Sequence, residues 1–288
     1  MSYLEFFGLK KEPFSTSPDP DFFYLSQCHE RALTNSLIEI RLKRGLSVVL
    51  GDIGTGKTTL SRKLIQELKE REDIIFNLIF DPSFKDEYSF LDCLVRNFVG
   101  PTDNNQGTST SNLKELLEHF LFQKGVTENK TIVLIVDEAQ KLNPTSLEVL
   151  RVLLNYETNQ FKLLQLVLLG QLELYSTIVN IPNLFDRISF KYTLNPLDEE
   201  ETLALINYRL QQAGYEGSTH LFEDGAVKKI YQVTGGYPRR VMAMCYLAFK
   251  KLILDNKSVI DEKIIEKVLW EEREIGWQEL ERHQKKDS

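Results

Sequence analysis

Four short runs of continuous apolar residues mark the first two thirds of the chain: "LSVVLG", "DIIFNLIF", "TIVLIV" and "LLQLVLLG". Each has strand length and lacks polar alternation, so each predicts a strand buried on both faces. Between these runs the apolar positions recur at helical spacing. Leu33, Leu37 and Ile40 predict a helix over 29–44 with Gly45 as its stop. Leu60, Leu64, Ile65 and Leu68 line a second helix. Phe90, Leu91, Leu94 and Phe98 line a third, and Leu113, Leu116, Leu117 and Phe120 a fourth. A fifth begins with Asn143 as cap and Pro144 at the first helical position, with Leu147, Leu150 and Leu154 in register. The polar, breaker-rich "GPTDNNQGTSTSN" predicts a loop. Apolar strands alternating with amphipathic helices predict an α/β domain over 29–196, a parallel sheet covered by helices. From about Leu197 the pattern is helical throughout, which predicts an all-helical domain over 197–288. The opening segment, 1–28, carries Pro13, Pro18 and Pro20 among aromatic residues and reads as extended.

Composition narrows this picture only slightly. A hydrophobic content of 42% over 288 residues is enough for a sizeable core. The formal charge of −7 disfavours a chain-wide cationic footprint for nucleic acid or anionic lipid, although a local basic patch is compatible with it. Cys28, Cys93 and Cys245 are odd in number and widely spaced, with no pairing that suggests zinc or a redox site. Glu5, Gly8, Lys10 and Lys11 interrupt the apolar run behind Met1, so no secretory leader is expected. The longest apolar runs fall far short of the ~20 residues that span a bilayer. A soluble cytoplasmic protein without direct membrane insertion is the expectation.

Candidate chemistry is concentrated in two motifs. "GDIGTGKT", Gly51 to Thr58, fits the phosphate-binding loop G-x-x-x-x-G-K-[ST] and stands between a strand and a helix, as that loop requires. Gly51, Asp52, Ile53, Gly54, Thr55 and Gly56 would offer backbone N–H groups to phosphate oxygens, with Thr58 and Thr59 opening the helix behind them. Lys57 would neutralise the β- and γ-phosphates, and the Thr58 hydroxyl would reach Mg²⁺. "TIVLIVDEAQ" then sets two acids, Asp137 and Glu138, at the carboxyl end of a buried strand, where ligands of open α/β sheets bind. Asp137 is the expected Mg²⁺-associated carboxylate. Glu138 stands where it would polarise an attacking water, which favours hydrolysis over transfer to another hydroxyl. No Asn-Lys-x-Asp run that would read guanine occurs, since "NKTI" and "NKSV" both lack the acid, so ATP is the expected nucleotide.

With these motifs placed, the chain resembles the AAA+ ATPases, and within them the general secretion pathway protein A family and related transposon target-selection ATPases. The resemblance rests on "FFGLKKEPFSTSPDP", "GDIGTGKTT", "LIVDEAQ", "LLGQLEL", "FDRISFKYTLNPL" and "TGGYPRRV", in that order. It implies a P-loop ATPase domain followed by a small helical lid, with the opening segment packed near the nucleotide and Phe14 as a base contact. It also implies Gln171 as a sensor of the γ-phosphate or the attacking water. Arg187 matches an arginine finger offered to a neighbouring subunit, which makes turnover depend on assembly into a nucleotide-dependent homo-oligomer. Arg239, with Arg240 as its competitor, matches a second sensor on the lid. Members of the secretion family continue into a membrane span and a wall-binding region that do not occur here, so a stand-alone ATPase with a protein partner is expected. Duplex DNA is the alternative partner that the transposition relatives suggest.

Overall fold

A computed structural model describes residues 4, 7–15, 22–101, 109–217 and 221–275. The chain divides into two compact units, Gln27–Asn195 and Met1–Ser26 with Pro196–Ser288, so the opening segment shares a unit with the C-terminal helices. The predicted loop over 100–112 falls partly outside the described residues.

In the first unit the elements run α1 (Gln27–Arg41), β1 (Leu46–Gly51), α2 (Lys57–Lys69), β2 (Ile74–Ile79), α3 (Glu87–Phe98), α4 (Thr110–Phe122) and β3 (Thr131–Val136). Then come α5 (Pro144–Leu153), β4 (Leu164–Gly170), α6 (Glu173–Val179), α7 (Pro182–Phe185) and β5 (Ile188–Leu194). The sheet is parallel throughout, in the order β2-β3-β4-β1-β5. Every residue of β3 and β4 is buried, which is why their sequences carry no polar alternation. Leu46, Leu134, Leu166 and Leu168 from the sheet pack with Phe90, Leu113, Leu147 and Leu150 from the helices in one apolar core.

Two details depart from the sequence pattern. The apolar runs predict four strands, and β5 is a fifth. Its sequence, "ISFKYTL", alternates exposed Ser189, Lys191 and Thr193 with more buried neighbours, as an edge strand open on one face requires. In α4 the buried face is Leu113, Leu117, Phe120 and Leu121, while Leu116 is exposed. Residues five apart, such as Leu116 and Leu121, point to different sides of a helix with 3.6 residues per turn, so the two do not share one face.

The second unit is built from α8 (Glu199–Gln212), α9 (Asp224–Thr234), α10 (Pro238–Leu254) and α11 (Glu262–Ile275). Asp198 and Glu201 close a capping box on α8, accepting from the N–H groups of Glu201 and Asp198 respectively. The core gathers Ile206, Ile230, Val241, Phe249, Leu252 and Ile264, and the opening segment adds Leu9, Phe14 and Phe22 to it. Gly236 precedes α10 at φ +72°, and a Cβ there would lie 1.9 Å from the Leu197 carbonyl oxygen. The Leu197 N–H in turn donates to the Gly236 carbonyl at 2.9 Å. Among the described residues no helix is long and apolar enough to cross a membrane, and the three cysteines are unpaired thiols.

Candidate active site

The carboxyl ends of three adjoining strands build the site. Leu50 of β1 pairs with Gly170 of β4, and Val136 of β3 pairs with Leu168 of β4. The chain therefore leaves the sheet side by side at the loop after Gly51, at Asp137 and at Gln171. This is where an open parallel sheet binds ligands.

The loop from Gly51 to Lys57 is held by its own short-range bonds. The Thr55 hydroxyl donates to the Asp52 carbonyl at 2.8 Å, and the Ile53 N–H donates to Asp52 Oδ1 at 2.7 Å. Gly54 and Gly56 lie at φ +84° and +98°, conformations that L side chains rarely adopt. At Gly56 space is excluded as well, since a Cβ would come 2.8 Å from His29 Nε2. That nitrogen lies 2.8 Å from the Thr55 carbonyl oxygen, which only accepts, so His29 carries its proton on Nε2. Burial lowers the His29 pKa, opposed by this backbone bond, and keeps the ring neutral beneath the loop.

Lys57, only 6% exposed, turns its ammonium into the loop and donates to the carbonyls of Gly51 and Asp52, each at 2.9 Å. Burial lowers its pKa, and the charges of Glu138, Asp137 and Asp52 oppose the shift. Asp137, 1% exposed, is pushed the other way for the same reason: burial raises its pKa, offset by the Thr58 hydroxyl and the Glu138 N–H. The Glu138 N–H lies 3.0 Å from Asp137 Oδ1, and the Ser61 hydroxyl lies 3.4 Å from Asp137 Oδ2. Glu138 itself sits at φ +52°, a left-handed conformation uncommon outside glycine. Its carboxylate accepts from the Gln140 side-chain amide at 2.6 Å.

This group fits Mg²⁺ and a nucleotide. A deeply buried carboxylate paired with the first hydroxyl of α2, beside a half-buried loop of left-handed glycines and an ammonium, is the donor set that magnesium shares with phosphates. No cluster of three or more His, Cys, Asp or Glu suited to a metal occurs among the described residues. Of the residues singled out from sequence, 51–59, Asp137, Glu138 and Gln171 come together here. Arg187 does not. It precedes β5 at the amino end of the sheet, roughly 20 Å of strand away at ~3.3 Å per residue, and its guanidinium donates to Asn183 O and Asn155 Oδ1. Arg239 and Arg240 are exposed on the first turn of α10, where Arg240 lies 4.6 Å from the Tyr237 ring centroid.

Phe14, expected at the base, lies in the apolar core of the second unit. It is 1% exposed and meets Phe222 and Phe249 edge-on with centroids 5.6 and 6.0 Å away. Three contributors carried no role in the sequence reading: His29, Ser61 and Gln140. Gln140 alone had a signal, as the last letter of "DEAQ"; the other two are brought in by packing.

The fold is that of the P-loop NTPases of the AAA+ class. Residues 40–178 match the AAA domain family model. General secretion pathway protein A of Aeromonas hydrophila is 36% identical over 245 residues, which cover 84% of this chain and 43% of that protein. The chain thus spans less than half the length of that relative. Among solved structures, Cdc6p of Pyrobaculum aerophilum is similar at a TM-score of 0.65 and 17% identity, over 86% of this chain and 67% of that one. The Orc1 protein of Aeropyrum pernix, solved in complex with DNA, gives 0.64 at 14% identity, over 91% and 69%. At these identities the structural likeness is one of fold.

Proposed function

We propose that the chain binds ATP at the carboxyl edge of its sheet, hydrolyses it between copies of itself, and passes the nucleotide state to a protein partner. The observation that carries this reading is the seating of Lys57, Thr58, Asp137 and Glu138 on neighbouring strand ends. Lys57 neutralises the outer phosphates, and Glu138 takes the proton of the attacking water. Magnesium, when bound, spreads the charge of the β- and γ-phosphates, and Thr58 with Asp137 would hold it. Gln171 orients the γ-phosphate or the water. Arg187 lies too far along the sheet to serve its own loop, which favours service to a neighbour's. Two arginines and no acid on the first turn of α10 oppose the helix dipole, an arrangement that suits an anionic ligand. Arg239 is the proposed lid sensor, since Arg240 is stacked on Tyr237. Free thiols and the resemblance to general secretion pathway protein A favour a cytoplasmic ATPase working beside an envelope process.

Glu138→Gln is expected to keep ATP affinity and lose turnover by about a hundredfold or more. The parent's specific activity should rise with protein concentration. Constant activity down to dilute monomer would remove the neighbour's arginine from the mechanism. Salt-sensitive, ATP-dependent binding of the Glu138→Gln variant to duplex DNA would replace the protein partner with DNA.

A further inference from the structure

The Glu138 carboxylate is tied to a strand end that it does not follow in sequence. Gln140 stands in the short 3₁₀ turn Ala139–Lys141, two residues beyond Glu138. Its Nε2 donates to Glu138 Oε2 at 2.6 Å, and its Oε1 accepts from the Gln171 backbone N–H at 3.0 Å. The two partners leave the amide one orientation. A carboxylate only accepts and a backbone N–H only donates, so turning the amide over would lose both bonds. The turn also presses on the end of β4. A Cβ at Gly170 would come 3.3 Å from the Gln140 backbone nitrogen and 2.6 Å from Leu174 Cδ2, so no side chain separates the two.

We infer that Gln140 is a positioning residue that locks the Glu138 carboxylate to the end of β4 at Gln171. This inference rests on Glu138 being the base. Glu138 needs such a tie because its backbone is in a left-handed conformation at φ +52° and its side chain has three rotatable bonds, so nothing local fixes where the carboxylate points. With Oε2 held by Gln140, Oε1 is the oxygen left to accept from a water. The bond also links two of the site's strand ends. A shift of Gln171 on contact with a γ-phosphate would reach the base through a single amide rather than through the sheet.

The test compares Gln140→Ala and Gln140→Glu with the parent, with Glu138→Gln run alongside. Gln140→Ala removes both bonds and should lower kcat about tenfold, the scale of a reacting group misplaced by a fraction of an ångström. Gln140→Glu keeps the shape and the acceptor for Gln171 but sets a carboxylate against Glu138, and should cost more than the alanine change. Both variants should keep KM for ATP and the unfolding temperature close to the parent's. The order of the two losses separates positioning from packing, because an isosteric change to a merely structural residue would be the milder one. An unchanged kcat in Gln140→Ala, or a Gln140→Glu loss smaller than the Ala loss, overturns the inference while leaving Glu138 as base, provided Glu138→Gln stalls. Full turnover in Glu138→Gln overturns both readings.

Discussion

At the carboxyl edge of the sheet each charged group is matched within its own unit: Lys57 by two carbonyls, Asp137 by hydroxyls and an N–H, Glu138 by the Gln140 amide. At the amino edge Arg187 is held only through neutral oxygens, those of Asn155 and Asn183. The nearby Glu148 carboxylate is occupied by Arg151 through bonds of 2.8 and 2.6 Å. Neutral acceptors fix the direction of a guanidinium and leave its charge uncancelled. The carboxyl edge thus gathers its charges into one set of short bonds, whereas at the amino edge Arg187 feels Glu148 only through space, that carboxylate being bonded to Arg151. In the mechanism proposed above, one copy's amino edge would meet another's carboxyl edge to complete the site.

The comparison is broken most severely by Arg187→Ala. Turnover should fall by about a thousandfold, the scale of a lost arginine finger, with ATP affinity retained. Mixing the two inactive proteins, Arg187→Ala and Glu138→Gln, should restore part of the activity, because the second lends its arginine to sites that still own a base. No recovery on mixing would place the function of Arg187 within its own chain. A smaller effect sharpens the comparison from the other unit. Phe14→Ala should destabilise the protein by about 3–5 kcal/mol, as for other buried phenylalanines, and leave nucleotide affinity unchanged at temperatures where the variant is folded. A weakened ATP affinity in a folded Phe14→Ala protein would reinstate the ring as a base contact.

The smallest effect concerns the electrostatics of the binding edge. Burial raises the Asp137 pKa, so the unfolded chain ionises first as pH climbs. Stability is then lost between the unfolded value, 3.8, and the higher folded one. Asp137→Asn should therefore melt above the parent at neutral pH without nucleotide, converge with it in acid, and lose the extra stabilisation that Mg²⁺-ATP gives the parent. A lower melting temperature at neutral pH would show that the hydroxyl bonds to Asp137 outweigh its burial.

Much of the sheet unit was legible because burial on both faces leaves a plain mark in sequence. β3 and β4 are uninterrupted apolar runs, and the loop and the acid pair are local motifs whose spacing is their geometry. β5 was missed because an edge strand exposes alternate residues, and Ser189, Lys191 and Thr193 dilute its apolar signal. The company of the opening segment was hidden for another reason. Phe14 contacts Phe222 and Phe249, more than 200 residues away, and no local pattern records a long-range partner. His29 and Ser61 escaped in the same way. His29 is 26 residues from the carbonyl it supports, and Ser61 reads from sequence as one more polar position on α2.

Gly236 carries a consequence for inheritance as well as for packing. Any missense change at its codon introduces a Cβ, and that carbon would come within 1.9 Å of the Leu197 carbonyl oxygen at a backbone angle few side chains tolerate. Chemically diverse alleles should thus share one phenotype, because the atom that collides is common to all of them. The two arginines that follow, both exposed, carry no such steric constraint. The turn that presents them does.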